Sequence, residues 1–174
     1  MNQVNKRLVK GQTMKVAIIM GSKSDYPLVE KSEKILDAFG ISYDTRIISA
    51  HRTPSVAEDF AKNAEDKGYE VIIAAAGKAA HLAGVVAGLT PLPVIGIPIK
   101  ASALDGLDAL LATVQMPKGV PVATVAIDGS ENAALLAIQI LSVKYPKVRE
   151  AMRLYKQDME KEVIKADAEF NSER

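Results

Sequence analysis

Three short stretches carry side chains suited to gripping an anion and moving a proton. They are Gly21-Ser22-Lys23-Ser24-Asp25, Ser49-Ala50-His51-Arg52-Thr53-Pro54 and Ala76-Gly77-Lys78-Ala79-Ala80-His81. In the first, Gly21 permits a tight turn. Ser22 and Ser24 set hydroxyls beside the free N–H groups of a helix start, where the helix dipole favours negative charge. Asp25 would repel a phosphate, so it suits a cap or an acceptor for sugar hydroxyls. A plainer account of this loop is helix capping by Ser24 or Asp25. In the second stretch, Arg52 offers a bidentate fork for phosphate or carboxylate. His51 is the side-chain type that exchanges a proton near neutral pH. Taken alone, Arg52 would pair with a surface carboxylate and His51 would cap the next helix. Placed between two Ser/Gly loops, His51 becomes the best general acid and base in the chain. His81 stands among small residues and reads as a buried, hydrogen-bonded helix residue rather than a catalytic one.

Other chemistries are excluded by what the chain lacks. Gly77-Lys78 is no P-loop, because Ile72 stands where a glycine is required and alanine follows the lysine. No GxGxxG follows the first apolar run, and neither GxSxG nor HExxH occurs. With two histidines and no cysteine, a dedicated metal site, a disulfide and a thiolate nucleophile are not expected. Lys plus Arg is 22 and Asp plus Glu is 21, a formal charge of +1, which argues against nucleic acid or an anionic membrane as partner. No apolar stretch approaches the ~20 residues of a membrane span. The first residues are basic without an apolar signal core, so a cytoplasmic protein is expected.

Apolar runs of strand length alternate with stretches of helical period, the pattern of a parallel α/β sheet. Strands are expected at 15–20, 43–49, 70–75, 93–97 and 120–127, and helices at 25–39, 54–67, 79–89, 104–114 and 131–141. Several strands are near-continuous Val/Ile runs, as in strands covered on both faces. Leu28, Ser32, Ile35, Leu36 and Phe39 repeat at helical spacing, with Gly40 as a stop. A last helix, 146–170, carries Val148, Met152, Tyr155, Met159 and Val163 on one face, to lie on its own domain or on another subunit. Residues 79–89 are almost all small and 133–141 are apolar around most of the helix circumference, which favours a homo-oligomer. At 174 residues the chain supports one domain. Residues 1–14 read as an extension and 15–174 as the domain. In such a sheet ligands bind beyond the carboxyl ends of the strands, where the three stretches fall.

The same stretches resemble the 5-(carboxyamino)imidazole ribonucleotide mutase family of purine biosynthesis. So do Ala79-Ala80-His81-Leu82, Val114-Gln115-Met116-Pro117, Gly119-Val120-Pro121-Val122-Ala123-Thr124 and Asn132-Ala133-Ala134-Leu135-Leu136-Ala137. The resemblance spans about residues 15–142. It implies a flavodoxin-like three-layer sandwich with a five-stranded parallel sheet, assembled as an octamer with no cofactor. It implies a ribonucleotide substrate whose carboxylate moves from the exocyclic nitrogen to ring carbon 4. It makes His51 the catalytic histidine. Ser22, Asp25 and Arg52 would hold the substrate with Gly21, Ser24 and Ser49, under a loop from Gly77 to Leu82. Two positions depart from the family pattern, Lys78 for a usual glycine and Ala83 for a usual proline. The sister activity, direct carboxylation by free carbon dioxide, is the nearest alternative, although its members usually carry lysine after the histidine. A non-catalytic nucleotide-monophosphate binding module would keep Ser22 and Arg52 but have no use for His51.

Overall fold

The computed structural model describes residues 14–172. Its elements alternate along the chain: β1 (Lys15–Met20), a 3-10 turn (Lys23–Asp25), α1 (Tyr26–Phe39), β2 (Ser42–Ile47), α2 (Pro54–Lys62) and β3 (Val71–Gly77). Then come α3 (Leu82–Ala87), β4 (Val94–Ile99), α4 (Leu107–Val114), β5 (Ala123–Thr124), α5 (Ser130–Lys144) and α6 (Pro146–Ser172). All five strands are parallel, in the order β2-β1-β3-β4-β5. This is the doubly wound flavodoxin-like order, and its winding reverses between β1 and β3.

Alternation along the strands divides the core in two. Val16, Ile18, Val71, Ile73, Ile95 and Ile97 face α1, α5 and α6. Ala17, Ile19, Ile72, Ala74 and Val94 face α2 and α3. Strands β1, β3 and β4 are buried on both faces, which is why they read as apolar runs, whereas the edge strand β2 alternates between half-buried and exposed residues. Gly40 ends α1 in the left-handed region at φ 69° and donates its N–H back to Leu36 and Asp37 carbonyls, as the sequence predicts.

Several boundaries differ from expectation, each for a local reason. Met14 is fully buried, so the core begins one residue inside the expected extension; residues 1–13 lie outside the described residues. The fifth strand shrinks from 120–127 to two residues. Gly96 O accepts from Val125 N and Pro98 O from Asp128 N, so Pro98 turns its missing donor toward β5 and the ladder stops there. The start of the expected helix at 104 is displaced because Asp105 and Gly106 both adopt positive φ, 51° and 93°. The third helix starts at Leu82 rather than 79, after Lys78 at φ 55°. The apolar α5 packs within its own chain against α1 and α6, with Leu135, Leu136 and Ile140 left partly buried. Helix α6 divides: Val148, Ala151 and Met152 are buried, and Tyr155 packs edge-on to Phe39 at 5.6 Å between ring centroids. Beyond them Met159, Val163 and Ile164 are exposed.

Candidate active site

The ends of β1, β2, β3 and β4 surround a cavity of about 570 Å³. Its lining includes Gly21, Ser22, Ser24 and Asp25 from the first stretch, Ser49, His51 and Arg52 from the second, and Gly77, Lys78, His81 and Leu82 from the third. The residues expected to hold or act on substrate, His51 with Gly21, Ser22, Ser24, Asp25, Ser49, Arg52, Gly77 and Leu82, therefore line one cavity. The winding reversal explains the convergence: chain leaves β1 toward β2 and later returns on the other side through β3, opening a crevice at their carboxyl ends. Gly21 N–H closes that edge by donating to Ala75 O at 3.1 Å.

The first loop caps itself differently from expectation. Ser22, not Ser24 or Asp25, caps the 3-10 turn, its Oγ accepting from Ser24 N at 3.3 Å, and Asp25 makes no side-chain cap bond. Ser24 Oγ donates to Ser22 Oγ at 2.9 Å and lies 3.3 Å from Asp25 Oδ1. Burial pushes the Asp25 carboxyl above the usual carboxylate range, partly offset by the Ser24 hydroxyl, the Ser22 backbone and the Arg52 guanidinium.

The second loop is a closed turn. Thr53 Oγ1 donates to Ser49 O and accepts from Ser49 N, both at 3.0 Å, and Arg52 N–H donates to Ser49 Oγ at 3.2 Å. The Arg52 guanidinium donates to Gly21 O at 2.7 Å, tying this loop to the first. No carboxylate among the described residues forms an ion pair with Arg52, although its charge acts on the Asp25 carboxyl. His51 does not cap α2.

His51 instead meets His81. Nε2 of His51 lies 2.8 Å from Nδ1 of His81, and the rings stand edge to face at 75° with centroids 4.9 Å apart. Which ring donates depends on the tautomers. This corrects the expectation for His81, which is exposed to the cavity at the N-terminal boundary of α3 rather than buried inside a helix. Two imidazoles linked by one hydrogen bond can accept a proton at one end and release it at the other. Among the described residues no cluster of three His, Asp or Glu side chains is arranged to hold a metal ion.

Residues 15–162 match a family model described as AIR carboxylase. The chain belongs to that family. It is similar to the N5-carboxyaminoimidazole ribonucleotide mutases of Pyrococcus horikoshii and Thermotoga maritima. They are 57% and 55% identical, over 89% and 86% of this chain and 88% of each relative. A chloroplastic phosphoribosylaminoimidazole carboxylase of Vigna aconitifolia is 49% identical over 86% of this chain but only 27% of its own length. Among solved structures, Treponema denticola PurE superimposes with a TM-score of 0.81 at 32% identity, covering 89% of this chain and 97% of that one. The family fold is thus the one built above, a flavodoxin-like sheet with a long C-terminal helix.

The cavity also has a wall that sequence reading missed. Ile99, Lys100 and Ala101, at the end of β4, line it opposite the β2 loop. Lys100 Nζ pairs with Asp105 at 3.2 Å, and its N–H donates to Asp128 Oδ1 at 2.8 Å. The signal was available, since the strand-end rule that located three loops applies equally to the fourth strand.

Proposed function

We propose that the chain is a 5-(carboxyamino)imidazole ribonucleotide mutase, moving a carboxylate from the exocyclic nitrogen to ring carbon 4 of its substrate. The single observation that carries this reading is the His51–His81 pair standing beside a Ser/Arg anion grip in one cavity. Relatives named for the same activity, covered over most of their length, support it.

In this reading Ser22, Ser24 and Arg52 take the phosphate, with Ser49 orienting the guanidinium, and Asp25 accepts from the ribose hydroxyls. Gly21 leaves room for the sugar, and the loop from Gly77 to Leu82 covers the imidazole. A proton passes from His51 to the carbamate nitrogen. The N–C bond breaks, its electron pair remains on nitrogen, and carbon dioxide is released into the cavity. Carbon 4 of the electron-rich ring then forms a bond to that carbon dioxide. His51, now neutral, removes the proton from carbon 4 and restores aromaticity. Atoms and protons balance without an oxidant, a triphosphate or a separate carboxyl carrier. Holding carbon dioxide depends on excluding water while the cavity is occupied.

A cytoplasmic homo-octamer belongs to this reading. Support for assembly comes from apolar side chains left exposed on one chain: Leu107, Leu111 and Val114 on α4, Val143 on α5, and Val163 and Ile164 on α6. No described helix is long and apolar enough to cross a membrane.

The experiment supplies the carbamate ribonucleotide at low bicarbonate in one cuvette and aminoimidazole ribonucleotide with excess bicarbonate in another. Ring-carboxylated product is followed by absorbance. Rapid product in the first alone is expected. Product only in the second would make the chain a direct carboxylase, and silence in both would leave a nucleotide-binding module.

Asp25 supplies a further expectation. Its folded-state carboxyl titrates above its unfolded value because burial disfavours the charge. At neutral pH the carboxylate is ionised in both states and opposes folding; this opposition disappears as pH falls through the raised folded value. Asp25→Asn should therefore raise the melting temperature at neutral pH, lose that gain in acid, and weaken ribonucleotide binding. Calorimetry across pH, with a ligand titration, checks all three; a lower melting temperature at neutral pH would refute the account.

A further inference from the structure

Lys78 holds a backbone conformation that lysine seldom adopts, with φ 55°, at the tip of β3 and on the wall of the cavity. Non-glycine residues in this region are uncommon and concentrate at functional sites, where surrounding structure enforces them. Lys78 is one of three cations lining the cavity. Of the other two, Arg52 donates to Gly21 O and belongs to the phosphate grip, and Lys100 pairs with Asp105. Lys78 makes no hydrogen bond or ion pair with any described residue, so its ammonium is available to an anion.

Position along the sheet edge decides which anion. The hydroxyls of Ser22 and Ser24 and the Arg52 guanidinium belong to the β1 and β2 ends, while Lys78 belongs to the β3 end. The His51–His81 contact at 2.8 Å bridges the space between the ends of β2 and β3. Adjacent strands stand about 4.8 Å apart, so the backbone ends themselves are separated by about 10 Å. That is the span of a ribonucleotide from its phosphate to the far side of its base. A substrate with phosphate at the Ser/Arg end therefore places its carboxylate toward Lys78.

Resting on the function reading above, we propose that Lys78 is a specificity-determining residue that binds the migrating carboxylate and selects carboxylated over decarboxylated ribonucleotide. The test is a binding titration, independent of turnover. Lys78→Gly removes the charge and relieves the left-handed backbone; Lys78→Met removes the charge and keeps the bulk. Each variant is titrated calorimetrically with the ring-carboxylated aminoimidazole ribonucleotide and with aminoimidazole ribonucleotide itself. Both variants are expected to bind the carboxylated ligand on the order of 10-fold or more weakly, the loss typical of one hydrogen bond to a charged group. Affinity for the decarboxylated ligand should stay within about twofold, as for a charge that touches nothing on it. Equal losses for both ligands would overturn the proposal and place Lys78 on the phosphate. No loss for either would overturn it in favour of a lysine that serves only solvent. Wild-type protein that binds neither ligand would overturn the function reading itself, and the proposal with it.

Discussion

His51→Asn is expected to lower turnover by on the order of 1,000-fold, toward the upper part of the range that general acid–base catalysis supplies. Affinity for the ribonucleotide should stay within a few-fold. Asparagine is close to histidine in reach and retains a hydrogen-bonding amide, so the closed turn from Ser49 to Thr53 and the Arg52 bond to Gly21 O have no reason to move. What it cannot do is exchange a proton near neutral pH. The proposed reaction asks for that exchange twice, once to the carbamate nitrogen and once from carbon 4, and in the proposal the same ring serves both steps. A steady-state rate beside a calorimetric titration separates the two quantities. Loss of affinity equal to the loss of rate would mean that His51 only binds. A rate within tenfold of wild type would remove it from the chemistry, because general acid–base groups rarely contribute so little.

This variant also separates an enzyme from a binding module. A module keeps Ser22, Ser24 and Arg52 and is indifferent to residue 51. The mutase and carboxylase readings both require it and differ only in where carbon dioxide originates.

The site was largely legible because parallel α/β sheets place ligands by topology. With β1 and β3 legible as apolar runs and β2 as the strand-length stretch between two helical periods, the residues following them share an edge, and Ser22, His51, Arg52 and Gly77 group together without coordinates. What could not be read was the outcome of backbone choices inside loops. Ala79-Ala80-His81-Leu82-Ala83 has good helix formers, so His81 looked like part of a buried helix. Lys78 instead turns into the left-handed region, the helix begins at Leu82, and His81 is left facing His51. Propensity favours a helix across residues 79–81, but the chain's exit from β3 overrides it. The fifth strand failed for a comparable reason. Val120–Ile127 has strand composition, yet the ladder depends on its neighbour, and Pro98 on β4 has no N–H to give. The cover that α6 lays over α5 has no signature in residues 131–141, because it is a tertiary fact. Tyr155 against Phe39 is a contact between residues far apart in sequence, with no local signature.

His81 therefore carries the second large expectation. His81→Ala should lower kcat by on the order of 100-fold while KM changes by only a few-fold, the pattern of an interaction that matters in the transition state more than in the ground state. The geometry gives the reason. His81 Nδ1, 2.8 Å from His51 Nε2, fixes the tautomer and ring plane of the neighbour that exchanges the proton. Alanine leaves that nitrogen to water and frees the ring to rotate. His81→Asn places an amide near the position of Nδ1 and should recover most of the rate. A residue that merely filled space would be replaced as well by one small side chain as by another, so the gap between alanine and asparagine reports the hydrogen bond. The melting temperature supplies the second readout, and it should stay close to that of wild type because His81 is exposed. Equal rates for alanine and asparagine would show that the two rings touch without working together, and His51 would then act alone.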